Sequence, residues 1–126
     1  MLDVARGTPA AGIHIALYVV QGEARRLVTR AQTNGDGRTD TPLVSDVVPA
    51  TYELVFSVGA YFERLQSATF YDHISVRIRI ADAARSYHVP LLLAPWSYAT
   101  YLEVRPRCGR RLHQTRLGTR GLGTNR

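Results

Sequence analysis

Strict alternation of apolar and polar residues is the feature that most constrains the fold of this chain. The clearest case is "HISVRIRI", residues 73–80, in which every second residue is isoleucine or valine. A period of two places the two sets of side chains on opposite faces of an extended strand. The segment therefore predicts a strand with one buried face and one polar face, which requires a second layer to cover it.

Other segments predict further short strands at hairpin spacing. Five of them are rich in β-branched and aromatic residues and are separated by turn-forming residues: 12–20, 25–33, 51–58, 87–94 and 97–104. "AYFERL", residues 60–65, predicts one short helix that places Tyr61 or Phe62 near Leu65. Pro90 lacks an amide hydrogen, so it predicts an edge or a bulge within its strand. Together these segments predict an all-β fold, a two-sheet β-sandwich with one short helix.

Charge divides the chain into a neutral body and a basic tail. The 126 residues suit one domain, with a net charge of +6. Residues 1–101 contain nine arginines and nine acidic residues, whereas residues 102–126 contain seven arginines and a single acid. We expect a domain over 1–101 and a disordered tail over 102–126, since the tail has no hydrophobic periodicity. Such a tail can contact phosphates non-specifically, so a basic-tailed scaffold for nucleic acid or an acidic surface is one hypothesis.

Composition restricts the compartment and the chemistry. Cys108 is the only cysteine, which excludes an intramolecular disulfide and a thiolate metal cluster. There is no apolar run long enough for a membrane span, and the N-terminal residues lack signal-peptide features, so we expect a cytoplasmic protein without membrane contact. The histidines have no metal-ligand spacing, and no metal or cofactor is expected. All 16 basic residues are arginine, which indicates the coding bias of a GC-rich, bacterial genome.

Two residues are candidates for a functional site. Arg38 lies in "NGDGRTD", where a guanidinium can form two parallel hydrogen bonds to an imide or ureide edge. The alternative is an ordinary loop arginine paired with Asp36 or Asp40. His88 lies on a predicted strand beside apolar positions, where a structural histidine is the alternative to a catalytic one. The remaining histidines, His14, His73 and His113, are expected to have no role.

Four segments within residues 2–101 carry specific patterns: "LDVARGTPAAGIHIALY", "TNGDGRTDTPL", "TYELVFSVGAYF" and "YHVPLLLAPWSYATY". Together, and in this order, they resemble the transthyretin-related proteins, in the branch of the 5-hydroxyisourate hydrolases. The resemblance implies a two-sheet β-sandwich that assembles as a homotetramer with two channels between dimers. It also implies hydrolysis of a ring amide of 5-hydroxyisourate to 2-oxo-4-hydroxy-4-carboxy-5-ureidoimidazoline, in purine degradation and without a cofactor. In vertebrate transthyretin the same channel binds thyroid hormone.

The resemblance also implies roles for individual residues. Arg38 would orient the carbonyl and imide groups of the substrate. His88 would activate water or relay protons as a general base. Tyr101, the tyrosine where the family motif "YRGS" begins, would contact the substrate, whereas Trp96 would serve packing.

The sequence departs from the family pattern at both ends. The family motif "HVLD" matches Leu2-Asp3, so its histidine would precede Met1, and Leu102-Glu103-Val104 replace Arg-Gly-Ser. A chain without those elements is expected to be a weak hydrolase or a transthyretin-like binding protein. The alternative hypothesis is a late start codon and a frame slip after Tyr101. Leu-Glu-Val-Arg can be encoded so that a shifted frame reads Arg-Gly-Ser, and the DNA sequence decides between them.

Overall fold

The computed structural model describes residues 1–44, 47–82, 86–105 and 112–113. It contains a single helix among these residues, α1 (Val58–Arg64), and eleven strands. The strands are β1 (Leu2–Asp3), β2 (Thr8–Pro9), β3 (His14–Gln21), β4 (Ala24–Gln32), β5 (Ala50–Phe56), β6 (Ile74–Ile80), β7 (Ser86–His88), β8 (Leu91–Ala94), β9 (Ser97–Thr100), β10 (Glu103–Arg105) and β11 (Leu112–His113). The predicted helix and a strand in each predicted segment are present, but the bounds differ: the helix begins at Val58, which was predicted to end a strand, and the segments 87–94 and 97–104 each form two strands. Strands β1 and β2 were not predicted from the sequence.

One sheet is antiparallel throughout, in the order β4-β3-β5-β6. Strand β3 pairs with β4 through a tight turn in which Gly22 has a φ of +63°. On its other side β3 pairs with β5, which in turn pairs with β6. The predicted alternation is present: Ile74 and Ile80 are buried, whereas Arg77 and Arg79 face solvent.

The second sheet has the order β2-β1-β8-β9 and continues as β10-β7-β11. The two parts share one hairpin: its first arm contains β7 and then β8, and its second arm contains β9 and then β10. Pro90 lies in the gap between β7 and β8, where its missing amide hydrogen interrupts the ladder, as the sequence predicts. The register is the same on both sides of the gap, since Leu91 pairs with Thr100 and His88 pairs with Glu103.

The core lies between the sheets and is closed by the helix. Alternate residues of the strands point inward, and Tyr61 and Phe62 of α1 add an edge-to-face ring pair with centroids 5.1 Å apart. The largest fully buried side chains are Phe56, Phe62, Met1, Ile13, Ile15, Leu17, Leu54, Ile74, Ile80, Leu91 and Leu93. At seven residues, α1 is far shorter than the roughly 20 residues that a membrane-spanning helix needs, and the described part of the chain holds no candidate span.

Two strands lie beyond residue 101. Strand β10 extends the predicted last strand, and β11 lies in the segment for which the sequence predicts no strand. Strand β11 runs parallel to β7, with Leu112 opposite Tyr87 and His113 opposite His88. Most of the predicted tail, Cys108 included, lies outside the described residues, so its predicted disorder stays a prediction.

Candidate active site

His88 lies on the face of its strand that points away from the core. Tyr87, Val89 and Leu91 belong to the buried core, so the alternating position of His88 lies on the opposite face. Even so, His88 is only 7% exposed, and its Nδ1 atom is shielded from solvent. A shielded imidazole on the face away from the core is a candidate for proton transfer, since its proton affinity depends on a few neighbouring groups.

Arg38 lies at the end of a loop that is held together by Asn34. The Asn34 side-chain oxygen accepts hydrogen bonds from the backbone N–H groups of Asp36 (2.9 Å) and Arg38 (3.2 Å). The Asn34 backbone N–H donates to the Arg38 carbonyl at 2.7 Å, and its side-chain amide donates to Asp40 at 2.9 Å. These bonds fix the backbone of Arg38, whose side chain is half-buried with Nε shielded from solvent.

Gly37 connects this loop to the sheet that carries His88. Its φ is +75°, and its carbonyl accepts a hydrogen bond from the Met1 amino group. A side chain at Gly37 would collide with the Met1 carbonyl oxygen, so the loop and the N-terminal strand are in direct backbone contact. Strand β1 in turn pairs with β8, with Leu2 opposite Leu92. The Arg38 loop therefore contacts the N-terminal strand, which lies beside β8, the strand that follows β7 and His88 in the chain.

Tyr101 lies in the gap between β9 and β10. The shared register places it opposite Pro90, two positions from the pair formed by His88 and Glu103. The Thr100 hydroxyl donates to the Pro90 carbonyl at 2.6 Å, which holds the hairpin closed at this point. Tyr101 is 42% exposed, so in the single chain it is open to solvent, unlike Arg38 and His88.

A mainly apolar cavity of about 310 Å³ lies on the other face of the same hairpin. It is lined by residues of β6 and by the core-facing residues Tyr87 and Val89, together with Thr100, Tyr101 and Leu102. His88 lies on the opposite face of its strand from Tyr87 and Val89, so it does not line this cavity, whereas Tyr101 belongs both to the cavity and to the candidate site.

Two acidic residues near this sheet were not predicted from the sequence to have a role. Asp3 is fully buried and accepts hydrogen bonds from the Tyr61 hydroxyl (2.7 Å) and the backbone N–H of Arg6 (3.1 Å). Burial, followed by the contact with Asp3, raises the pKa of Tyr61 to about 12. Glu103 is half-buried and pairs with His88. Only the register of the hairpin identifies Glu103, because its local sequence carries no motif.

This arrangement, a two-sheet β-sandwich with one short helix between β5 and β6, defines the class of transthyretin-like proteins. The model of the HIUase/Transthyretin family matches residues 1–102. The chain belongs to the HIUase/Transthyretin family, as the sequence resemblance predicted.

Relatives that are named 5-hydroxyisourate hydrolase align with most of the chain. A 5-hydroxyisourate hydrolase of Deinococcus radiodurans is 46% identical over 106 residues, covering 80% of this chain and 89% of its own length. The 5-hydroxyisourate hydrolase 2 of Rhizobium meliloti is 46% identical over 107 residues, with the same two coverages. Among solved structures, Klebsiella pneumoniae 5-hydroxyisourate hydrolase superposes with a TM-score of 0.70 at 29% identity, covering 81% of this chain and 92% of its own.

Proposed function

We propose that this chain is a hydrolase that opens the ring amide of 5-hydroxyisourate and forms 2-oxo-4-hydroxy-4-carboxy-5-ureidoimidazoline in urate degradation. Family membership and the 46% identity to two 5-hydroxyisourate hydrolases support this function. One observation supports assigning this function to particular residues: Arg38 and His88 each have a side-chain nitrogen that is shielded from solvent. Both belong to motifs on which the family resemblance rests.

The proposed reaction uses His88 as the base. His88 takes a proton from a water molecule while the water oxygen bonds to the ring carbonyl carbon. The ring C–N bond then breaks, the proton passes to the leaving nitrogen, and the carbonyl carbon becomes a carboxylate. Arg38 holds the substrate's carbonyl and imide groups through its planar fork, and Tyr101 contacts the substrate from the channel mouth.

We further propose that the site is completed in a homotetramer in the bacterial cytoplasm. Tyr101 is 42% exposed and Trp96 is 64% exposed in the single chain. Trp96 would therefore pack mainly against a neighbouring chain of the tetramer. Strand β9 forms an edge of its sheet that a second copy can extend. A single cysteine suits a reducing compartment.

A second candidate function is a transthyretin-like binding protein with weak catalysis. The observation that favours it is the replacement of Arg-Gly-Ser by Leu102, Glu103 and Val104 after Tyr101. Such a protein would keep the channel and Arg38 while lacking groups that stabilise the transition state. Stoichiometric ligand binding without turnover would identify it.

Decay of 5-hydroxyisourate in the ultraviolet tests the first function. We expect acceleration by the full chain, and a loss of about 10²–10⁴-fold in kcat/KM for His88→Ala, the range that removal of a general base gives. His14→Ala, an exposed position on the other sheet, is the matched control and should leave the rate unchanged. A further variant has His-Val before Leu2 and Arg-Gly-Ser after Tyr101. If neither this variant nor the full chain accelerates decay, the hydrolase proposal fails.

A further inference from the structure

Asn34 is followed directly by Gly35, in the turn that leads to Arg38. The backbone nitrogen after an asparagine can attack the side-chain amide, and glycine favours this attack because it has no side chain to hinder the approach. Gly35 is exposed, and nothing lies within 4 Å of the position that a Cβ would occupy there. Its backbone N–H has no hydrogen-bond partner among the residues that the structure describes. The nitrogen of Gly35 is therefore accessible for such an attack.

The side-chain oxygen of Asn34 is held by two hydrogen-bond donors. The backbone N–H groups of Asp36 and Arg38 donate to it at 2.9 Å and 3.2 Å. When a nucleophile adds to an amide carbon, negative charge develops on the amide oxygen, and fixed N–H donors stabilise that charge. The two bonds that shape the Arg38 loop thus also provide the stabilisation of an oxyanion hole for an attack on Asn34 itself.

We propose that Asn34 is a self-modification site, at which the Gly35 nitrogen closes a cyclic imide on the Asn34 side chain. The Gly35 N–H loses its proton to water, its nitrogen bonds to Cγ of Asn34, and the Cγ–Nδ2 bond breaks. The amide nitrogen takes up a proton and leaves as ammonia. Water then opens the imide at either of its carbonyl carbons, so one water is consumed for each ammonia released. Residue 34 becomes aspartate, or isoaspartate in which the chain continues through the side-chain carboxyl carbon.

Both products disturb the loop around Arg38. Asn34 Nδ2 donates to Asp40 Oδ1 at 2.9 Å, whereas a carboxylate at position 34 has no donor and carries the same charge as Asp40. Isoaspartate also moves the Asn34 carbonyl, which accepts the Gly37 N–H at 2.9 Å, out of the main chain. Gly37 contacts Met1, so the modification weakens the attachment of the loop to the N-terminal strand. Its effect on turnover rests on the proposed hydrolase function, whereas the modification itself does not.

Mass spectrometry of the aged full chain tests the modification. The protein is kept at mildly alkaline pH and physiological temperature and is then digested with trypsin, and a sample digested without ageing gives the background. Asn34 lies in the tryptic peptide "AQTNGDGR", residues 31–38, and Asn125, the other asparagine of the chain, lies in "GLGTNR", residues 121–126. We expect the Asn34 amide to become a carboxyl group several-fold faster than the Asn125 amide, which precedes an arginine. Part of the product should accept a methyl group from an isoaspartyl methyltransferase.

Gly35→Ala is the matched control variant. Gly35 does not have a positive φ and has open space around it, so alanine is accommodated without strain. The added methyl group hinders ring closure, so we expect Asn34 to be modified several-fold more slowly in this variant. Equal rates at Asn34 and Asn125, or equal rates with and without Gly35→Ala, would overturn the proposal. An Asn34 that is converted in urea but stays intact in the folded chain would also overturn it.

Turnover separates this modification from the proposed hydrolase function. The full chain is expected to lose kcat/KM for 5-hydroxyisourate in parallel with the conversion of Asn34, and the Gly35→Ala variant is expected to retain it over the same time. If Asn34 is converted but fresh chain does not accelerate decay, the hydrolase function fails and the modification stands. If fresh chain is active and Asn34 stays intact on ageing, the modification fails and the function stands. Conversion without any loss of turnover would overturn the link between the modification and the Arg38 loop.

Discussion

At the scale of single residues, the buried pair formed by Asp3 and Tyr61 connects the N-terminal strand to the helix. The Tyr61 hydroxyl donates to a carboxylate that has no solvent exposure, so this hydrogen bond replaces the water that Asp3 lost on folding. Hydrogen bonds to charged groups are among the stronger ones in proteins. The pair therefore holds β1, and with it Met1, against α1.

Tyr61→Phe is expected to lower the free energy of unfolding by about 1.5–3 kcal/mol, because Asp3 loses a charge-assisted bond while remaining buried. The folded pKa of Tyr61, about 12, lies above its ordinary value of 10.0. The stabilisation is therefore fully present below pH 10 and is lost as the pH rises through 12. Urea unfolding at pH 7 and across pH 10–12 measures both effects. Tyr98→Phe, at a more exposed position, is the control; an equal loss there would contradict the assignment.

At the scale of elements, the Arg38 loop and strand β1 are coupled through Gly37. The loop keeps its own shape through the hydrogen bonds to Asn34, but its position on the sheet depends on the contact between Gly37 and Met1. Strand β1 consists of only two residues, and it lies between β2 and β8. Displacing the loop is therefore expected to move Arg38 relative to the strand of His88.

A comparison of Gly37→Ala with Gly22→Ala separates the cost of losing the contact with Met1 from the strain of a positive φ. Gly22 has a similar φ, +63°, with open space around it, so Gly22→Ala should cost only the left-handed strain of about 1–2 kcal/mol. Gly37→Ala should cost more, because its methyl group meets the Met1 carbonyl, and it should also reduce kcat/KM through Arg38. Urea unfolding measures the loss of stability, and the ultraviolet assay measures the change in kcat/KM. Equal costs with unchanged turnover would contradict the coupling.

At the scale of the whole molecule, the sandwich leaves several large apolar side chains exposed. Phe70, Trp96 and Leu102 are 71%, 64% and 60% exposed, and Trp96 and Leu102 flank β9, an edge strand. Exposed apolar groups beside an unpaired edge are typical of surfaces that bind another chain. This supports assembly through the last hairpin.

Sedimentation should give a mass four times the 14.0 kDa of the chain. Leu102→Glu is expected to shift the protein toward smaller species, because it places a charge in the proposed interface. Val48→Glu, 58% exposed and just before β5, is the matched control and should leave the mass unchanged. A monomeric unaltered chain at micromolar concentration would contradict the tetramer.

The sequence by itself determined the layers of this protein and most of its core. Alternation in residues 73–80 reports directly which side chains of β6 face inward, because a strand has a period of two. The short helix follows from its spacing of apolar residues, and the break at Pro90 follows from a missing amide hydrogen. Arg38 and His88 could be named as candidate site residues because their motifs are local and resemble those of the family.

Only the tertiary structure decided which strands lie next to each other and what surrounds His88. The contact between Met1 and Gly37 spans 36 positions in the chain, and the pairing of β11 with β7 spans 25. Local periodicity fixes the face of a residue but carries no information about its partner strand. Partners are selected by the burial and hydrogen bonding of the whole sandwich. That is why the pairing of Glu103 with His88 and the hydrogen bond between Asp3 and Tyr61 could not be predicted from the sequence.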